Sequence, residues 1–210
     1  MKKLIPLLLA VFAFAACEKD PDMDKLDNDY LVYTNYDKKA DFKQFTSYYI
    51  PDSVMIISDK AEPEYWKGAA ASGIIDAYKA DLNSRGYVYT ADKASADLGV
   101  QVSYVLSTYY FTAYGQPEWW WGYPGYWGSG YWGNWGGWYY PYAVSYSISS
   151  NSFLTEILNL KAPEGSGQKL PVLWTSYLSG PADYAGNVNQ AMVVEAINQS
   201  FAQSPYLTNK

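Results

Sequence analysis

The chain has 210 residues, 19% of them aromatic, with 15 lysines and arginines against 21 acids, one cysteine and no histidine. Without histidine the commonest general base and the commonest transition-metal ligand are missing, and a lone cysteine excludes an internal disulfide or a zinc-thiolate cluster. Arg85 is the only arginine, and an acidic chain without clustered cations cannot neutralise nucleic-acid phosphates, so neither a nucleic acid, a metal nor a cofactor is expected.

In chain order, Met1-Lys2-Lys3 opens an eleven-residue run, Leu4 to Phe14, that is apolar apart from the break at Pro6, and Ala15-Ala16 lead into Cys17. At about 1.5 Å per residue that run falls short of a hydrocarbon core about 30 Å thick. Residues 1–16 therefore read as a cleaved lipoprotein signal, with Cys17 lipidated at the start of the mature chain. An ordinary secretory signal with an incidental cysteine is the alternative. Lys2 and Lys3 leave with the signal, so 13 cations face 21 acids in the remaining 194 residues, a net charge of −8. That length suffices for one domain with a sizeable core. The expected place is the bacterial cell envelope, lipid-anchored in the outer membrane, facing the periplasm or the exterior.

Residues 17–29 are charged and poor in apolar side chains, which predicts a flexible acidic tether. Asp20, Asp22 and Asp24 imitate the opening of a calcium loop, but Lys25 takes the glycine position and Leu31 the bidentate glutamate position, so no calcium site is expected. The start Glu18-Lys19-Asp20 resembles acidic, lysine-containing export tags and suggests display at the cell surface.

A single α+β domain is expected over residues 30–207. Tyr30 to Tyr36 and Phe42 to Ile50 read as strands. Near Glu62-Pro63 the pattern turns helical, Pro63 suiting a first turn and Glu64 the positive end of the dipole. Ala70, Ile74, Tyr78 and Leu82 form its stripe, and Arg85-Gly86 its end. From Leu98 the period is two: Leu98, Val100, Val102, Tyr104 and Leu106 face one way, with Gly99, Gln101, Ser103 and Ser107 opposite. Tyr142, Val144, Tyr146 and Ile148 repeat this, and Phe153–Leu160 and Leu170–Leu178 follow as strands around a Gly- and Pro-rich turn. Asn187 to Phe201 closes as a helix with Val193, Val194, Ile197 and Phe201 as its stripe. The expected architecture is an antiparallel sheet of about four to six strands, one face nearer water, with two helices on the other face and a long aromatic and Gly-rich hairpin loop.

Several of these stretches together carry a resemblance. Asp41 to Tyr48 reads Asp-Phe-x-x-Phe-x-x-Tyr, the first helix ends Leu82-Asn83-Ser84-Arg85-Gly86-Tyr87, and Ala96-Asp97-Leu98-Gly99-Val100 follows. Then come Phe153-Leu154-Thr155-Glu156-Ile157, Val172-Leu173-Trp174 and a last helix running into Ser204-Pro205. The chain resembles a family of small bacterial lipoproteins built on a domain of unknown function, number 4136, over roughly Tyr30 to Leu207. Glu156 stands where Asp is usual, and Thr-Ser-Tyr follows Trp174 where an Arg-Gly pair is common. The resemblance implies an α+β domain on a lipid anchor and brings no activity with it.

The segment 116–142 is the unusual part. Residues 119–142 hold seven of the nine tryptophans, six tyrosines and seven glycines, and no charge occurs between Glu118 and Glu156. It joins two strands that read as hairpin partners, and loops of such length are usually functional or disordered. Three roles are open. The rings extend the protein's own core, or they contact a membrane or an envelope protein, or they form a ligand platform for glycans. On the last reading Trp119, Trp120, Trp121, Tyr123, Tyr126, Trp127, Tyr131, Trp132, Trp135 and Trp138 are the binding residues, each pairing a wide apolar face with a polar edge. Gly128-Ser-Gly130-Tyr-Trp-Gly133 spells a dinucleotide fingerprint without a buried strand before it or a helix after it, and reads as a chance match. The one enzyme reading is a carboxylate hydrolase with Glu118 and Glu156 as acid and base, against the simpler expectation of a solvated Glu156. The favoured reading is a non-catalytic envelope lipoprotein that binds a glycan-like ligand or an envelope partner through its aromatic loop. A structural lipoprotein whose aromatics only pack on its own sheet is the alternative.

Overall fold

The computed structural model describes residues 30–58, 64–106, 129–133, 135, 138–142, 151–163, 168–180 and 188–210. The expected signal, Cys17 and the acidic tether lie outside the described residues, as does most of the strand expected from Tyr142. The strands are β1 (Leu31–Tyr36), β2 (Ser47–Tyr49), β3 (Val54–Ile57), β4 (Glu64–Trp66), β5 (Val88–Tyr89), β6 (Leu98–Val105), β7 (Trp138–Tyr139), β8 (Ser152–Asn159) and β9 (Leu170–Ser179). The helices are α1 (Ala69–Ser84), the short α2 (Ser129–Trp132) and α3 (Gln190–Ala202).

The class is α+β. The sheet is larger and more mixed than the alternation suggests: its order is β1-β9-β8-β6-β2-β5, with β3, β4 and β7 attached at its margins. The long ladders β1–β9, β9–β8 and β8–β6 are antiparallel. The partner of β6 is thus β8 rather than a strand starting at Tyr142. On its other edge β6 takes first β2 and then β3, both parallel. The two are separated at Pro51, which has no N–H for a ladder. These extra strands are two to four residues long, too short for a period of two to register in the sequence.

Two elements begin later than expected. Phe42–Gln44 is a 3₁₀ turn capped by Asp41, whose carboxylate accepts from the Lys43 N–H at 3.1 Å, so only Ser47–Tyr49 of that stretch is strand. Glu64–Trp66 pairs antiparallel with β3 instead of opening the helix. Helix α1 starts after Gly68, whose φ of +108° suits a residue without Cβ. Its end is as expected. Gly86 (φ +96°) donates to the Asn83 carbonyl at 3.0 Å and Tyr87 to the Leu82 carbonyl at 3.2 Å, satisfying two orphan acceptors in a Schellman arrangement.

Helices α1 and α3 lie on one face of the sheet. Ile74, Ile75, Tyr78 and Leu82 from α1 and Val193, Ile197 and Phe201 from α3 meet Val100, Val102, Ile157 and Trp174 there, each large buried side chain contributing about 1.5–3 kcal/mol. Ala70 and Val194 of the expected stripes are only half-buried. Asn189 caps α3 by accepting from the Ala191 and Met192 N–H groups. Arg85 joins the two helix ends: its guanidinium donates to the carbonyls of Phe201, Ser204 and Leu207.

The opposite face departs most from expectation. Every residue of β6 is buried, as are all of β8 but Asn159. The sheet therefore has two dry faces. Met55, Leu154, Leu158, Val172 and Tyr177 form a second core with Trp132, Trp135 and Trp138. Alternation of apolar with small or polar residues here marks two covers of different chemistry, not one cover and water.

Candidate functional site

The second face is built around one row of side chains. The register pairs Gln101 of β6 with Glu156 of β8, and Glu156 with Thr175 of β9. All three are buried, Glu156 completely, which corrects the expectation of a solvated carboxylate. Buried polar groups must be hydrogen-bonded to be tolerated. Each member of this row is met by a different aromatic side chain. The Trp132 Nε1–H donates to Gln101 Oε1 at 3.0 Å, the Tyr140 hydroxyl donates to Glu156 Oε1, and the Tyr142 hydroxyl donates to Thr175 Oγ1 at 3.4 Å. The aromatic stretch is thus stitched to the sheet by the polar edges of its rings, while their apolar bodies fill the second core.

Shape fixes the same contact. A Cβ on Gly99 would lie 2.5 Å from Trp132 Cζ3 and 2.8 Å from Cε3, so the indole sits where any other side chain would stand. The start of β6 is itself anchored by Asp97, whose Oδ2 accepts from the Thr46 N–H, the Thr46 hydroxyl and the Ser47 N–H at 2.6, 2.8 and 3.2 Å. Further along, Trp138 of β7 pairs with Leu170, extending the margin of β9 in parallel.

At the rim, Tyr131 is held from several sides. Its hydroxyl lies 3.1 Å from that of Tyr49, the Lys93 ammonium sits 3.8 Å from its ring centre, and the same ammonium donates to its carbonyl oxygen. Trp132 meets the rings of Tyr131 and Tyr49 edge-on, at 84° and 76°. Burial, the hydrogen bond to Tyr49 and the neighbouring Tyr49, Tyr65 and Asp52 all push the Tyr131 hydroxyl far above its ordinary range. It stays neutral at every physiological pH. Burial also lowers Lys93 from its ordinary value.

Of the ten aromatic residues expected to bind a ligand, Trp119, Trp120, Trp121, Tyr123, Tyr126 and Trp127 lie outside the described residues. Trp132, Trp135 and Trp138 are at most 5% exposed; their rings are committed to the second core and offer no face to a ligand. Tyr131 is half-buried. Cys17 and Glu118 lie outside the described residues, so only one of the two carboxylates considered for hydrolysis has a place. The fingerprint-like stretch does contain a helix, α2, but it is four residues long and stops at Gly133, φ +142°. Tyr49 and Asp52, Tyr65, and Lys93 escape a sequence reading because they come from three separate stretches of chain. The burial of Glu156 does leave a trace, since Leu154 and Leu158 share its side of β8.

Among the described residues no helix is long and apolar enough to cross a membrane, and no group of three or more acidic or cysteine side chains could hold a metal ion. The model of a family described as a domain of unknown function, DUF4136, matches residues 32–206. The chain is 63% identical to a DUF4136 family protein of Bacteroides thetaiotaomicron VPI-5482 with a known crystal structure, over 87% of this chain and 100% of that one, with a TM-score of 0.81. No curated protein matches it.

Proposed function

The chain belongs to the DUF4136 family, and from that premise we propose a non-catalytic lipoprotein of the bacterial cell envelope, anchored through Cys17, that holds a glycan-like ligand with its aromatic segment. The observation that carries this reading is the three-point attachment of Trp132, Tyr140 and Tyr142 to the row Gln101–Glu156–Thr175. It makes part of the aromatic segment a built portion of the domain, and Tyr131, held against Trp132 and Tyr49 before binding, loses little entropy on meeting a ligand. The ligand role then falls to Tyr131 and the aromatics of residues 119–127, since the three buried tryptophans are spent on the core. Catalysis is not proposed. Glu156 is sealed beneath Tyr140, and a glycosidase carboxylate must reach the glycosidic oxygen or an attacking water.

The burial of Trp132, Trp135 and Trp138 favours a second reading, in which the whole segment serves only as a cover for the sheet. Envelope anchoring is shared by both readings and is tested by Cys17→Ser. Expressed in a bacterial host, the parent chain is expected to take up labelled palmitate and enter the detergent phase on Triton X-114 partition. The variant is expected to lose both. A variant that still fractionates with membranes and carries label would remove the anchor from the proposal.

A further inference from the structure

The sheet ends at β1, and that end lacks the usual protection. Natural edge strands are kept short, or carry charges, prolines or bulges that stop other strands from adding to them. The opposite end of the strand order, β5, is two residues long. Strand β1 runs for six, Leu-Val-Tyr-Thr-Asn-Tyr, with no charge, no proline and an unbroken register against β9. Its first residue, Leu31, is 61% exposed.

The register fixes which backbone groups look outward. In an antiparallel pair, alternate residues exchange hydrogen bonds with the partner strand, and those between them turn N–H and C=O the other way. The Asp37 N–H donates to the Leu173 carbonyl at 2.9 Å, one step beyond the pair Tyr36–Trp174. Odd-numbered residues of β1 therefore bond to β9, while Val32, Thr34 and Tyr36 point away from it. The Tyr36 N–H is taken by Asn35 Oδ1 at 2.9 Å. Among the described residues nothing bonds to the backbone N–H or C=O of Val32 or Thr34.

We propose that β1 pairs antiparallel with β1 of a second copy of this chain, around a two-fold axis at Tyr33. Val32 of each copy then exchanges N–H and C=O with Thr34 of the other. Two outward residues at spacing two are the set such an axis requires, since the same patch must serve on both sides. Charge favours the same occupant. Antiparallel pairing brings the end of β1 that follows Asp27 and Asp29 to the net-positive turn Asp37-Lys38-Lys39 of the second copy, where both lysines are exposed. A six-residue edge is small beside the interfaces of stable complexes, about 1,200–2,000 Å², so pairing depends on a high local concentration. The lipid anchor proposed above supplies it, and this step rests on that reading. The N-terminal ends of the paired strands stand about 20 Å apart, within reach of tethers that extend to about 40 Å each, so both copies can share one membrane.

The test is cysteine trapping in membranes of a bacterial host expressing the full chain, in which a lipidated Cys17 leaves no other thiol. Residues facing each other across such an axis have Cα atoms about 4.5 Å apart, within disulfide reach. After oxidation with copper phenanthroline, Tyr33→Cys is expected to run as a dimer on a non-reducing gel. Val88→Cys, 64% exposed on β5 at the far end of the sheet, is expected to stay monomeric. Two second changes in the Tyr33→Cys chain are each expected to cut the dimer about tenfold or more. Val32→Pro removes an N–H that β9 does not use, and Leu31→Lys puts a charge on the edge. If Val32→Pro lowers the melting temperature, Leu31→Lys decides. The proposal is overturned if Tyr33→Cys stays monomeric, dimerises no more than Val88→Cys, keeps its dimer with Leu31→Lys, or links to a different envelope protein instead. A disulfide dimer of the parent chain would come from an unlipidated Cys17 and strike the anchor; the same comparison in Cys17→Ser chains then decides the pairing.

Discussion

Asp97 ties two strands through a single carboxylate. It accepts from Thr46 twice and from Ser47 once, its own N–H donates to the Ser47 hydroxyl at 3.0 Å, and Lys161 stands 3.4 Å away. Burial alone would raise its pKa, but the hydrogen bonds from Thr46 and Ser47 and the Lys161 ammonium outweigh that and hold it below its ordinary 3.8. A carboxyl depressed on folding stabilises the protein above its unfolded pKa, and that contribution disappears as pH falls through the lower, folded one. Asp97→Asn is therefore expected to cost about 1–3 kcal/mol at neutral pH. Urea unfolding of both chains should show the gap narrowing as acid is added below pH 3.8. A gap unchanged in acid would assign the loss to shape rather than charge. The motif Ala96-Asp97-Leu98-Gly99-Val100 is visible in the sequence, but its partners Thr46 and Ser47 lie fifty residues away and carry no mark of the pairing.

Among the elements, α2 is the most dependent on its neighbour. Four residues make no stable helix alone, and this one is held by the Trp132 indole seated on Gly99 of β6. Replacing a strand glycine by alanine ordinarily stabilises by about 0.4–1 kcal/mol, through the unfolded chain. Here the sign is expected to reverse, with Gly99→Ala destabilising by about 1–3 kcal/mol as the ring is displaced, and with tryptophan emission shifting to the red. The double variant Gly99→Ala, Trp132→Ala should recover part of the loss relative to Trp132→Ala alone. A stabilised Gly99→Ala chain would mean that the indole does not sit there in solution. The long elements α1, α3, β6, β8 and β9 were legible because their periods run over eight residues or more. The small strands were not. Nor was the cover of β6: Gly99, Gln101 and Ser103 look like a wet face until the segment that buries them is placed.

At the scale of the whole molecule, three strands carry a core on each side, one under helices and one under aromatic rings. The two covers differ in kind. The helical one closes by apolar stripes that recur every three or four residues and announce themselves in the sequence. The aromatic one closes by individual ring edges on individual polar groups, Trp132 on Gln101, Tyr140 on Glu156 and Tyr142 on Thr175, and such pairs leave no periodic trace. For the same reason the sequence separated poorly the aromatics that build the domain from those proposed to bind. Composition shows that the segment is rich in tryptophan, but only packing divides Trp132, Trp135 and Trp138 from the half-buried Tyr131.

One pairing orders events in time. Among the described residues strand β1 pairs with β9 alone, Leu31 facing Ser179 and Tyr36 facing Trp174. On a ribosome β1 emerges with β9 still unsynthesised, and the same delay holds for Arg85, which waits for the carbonyls of Phe201, Ser204 and Leu207. Distant pairings of this kind make folding late and slow. Nascent chains stalled before Leu170 are expected to be digested throughout by a protease that spares the finished protein, and a resistant core in those chains would contradict this. A polypeptide that stays pliable until its last third is made can still be threaded through a narrow translocation channel.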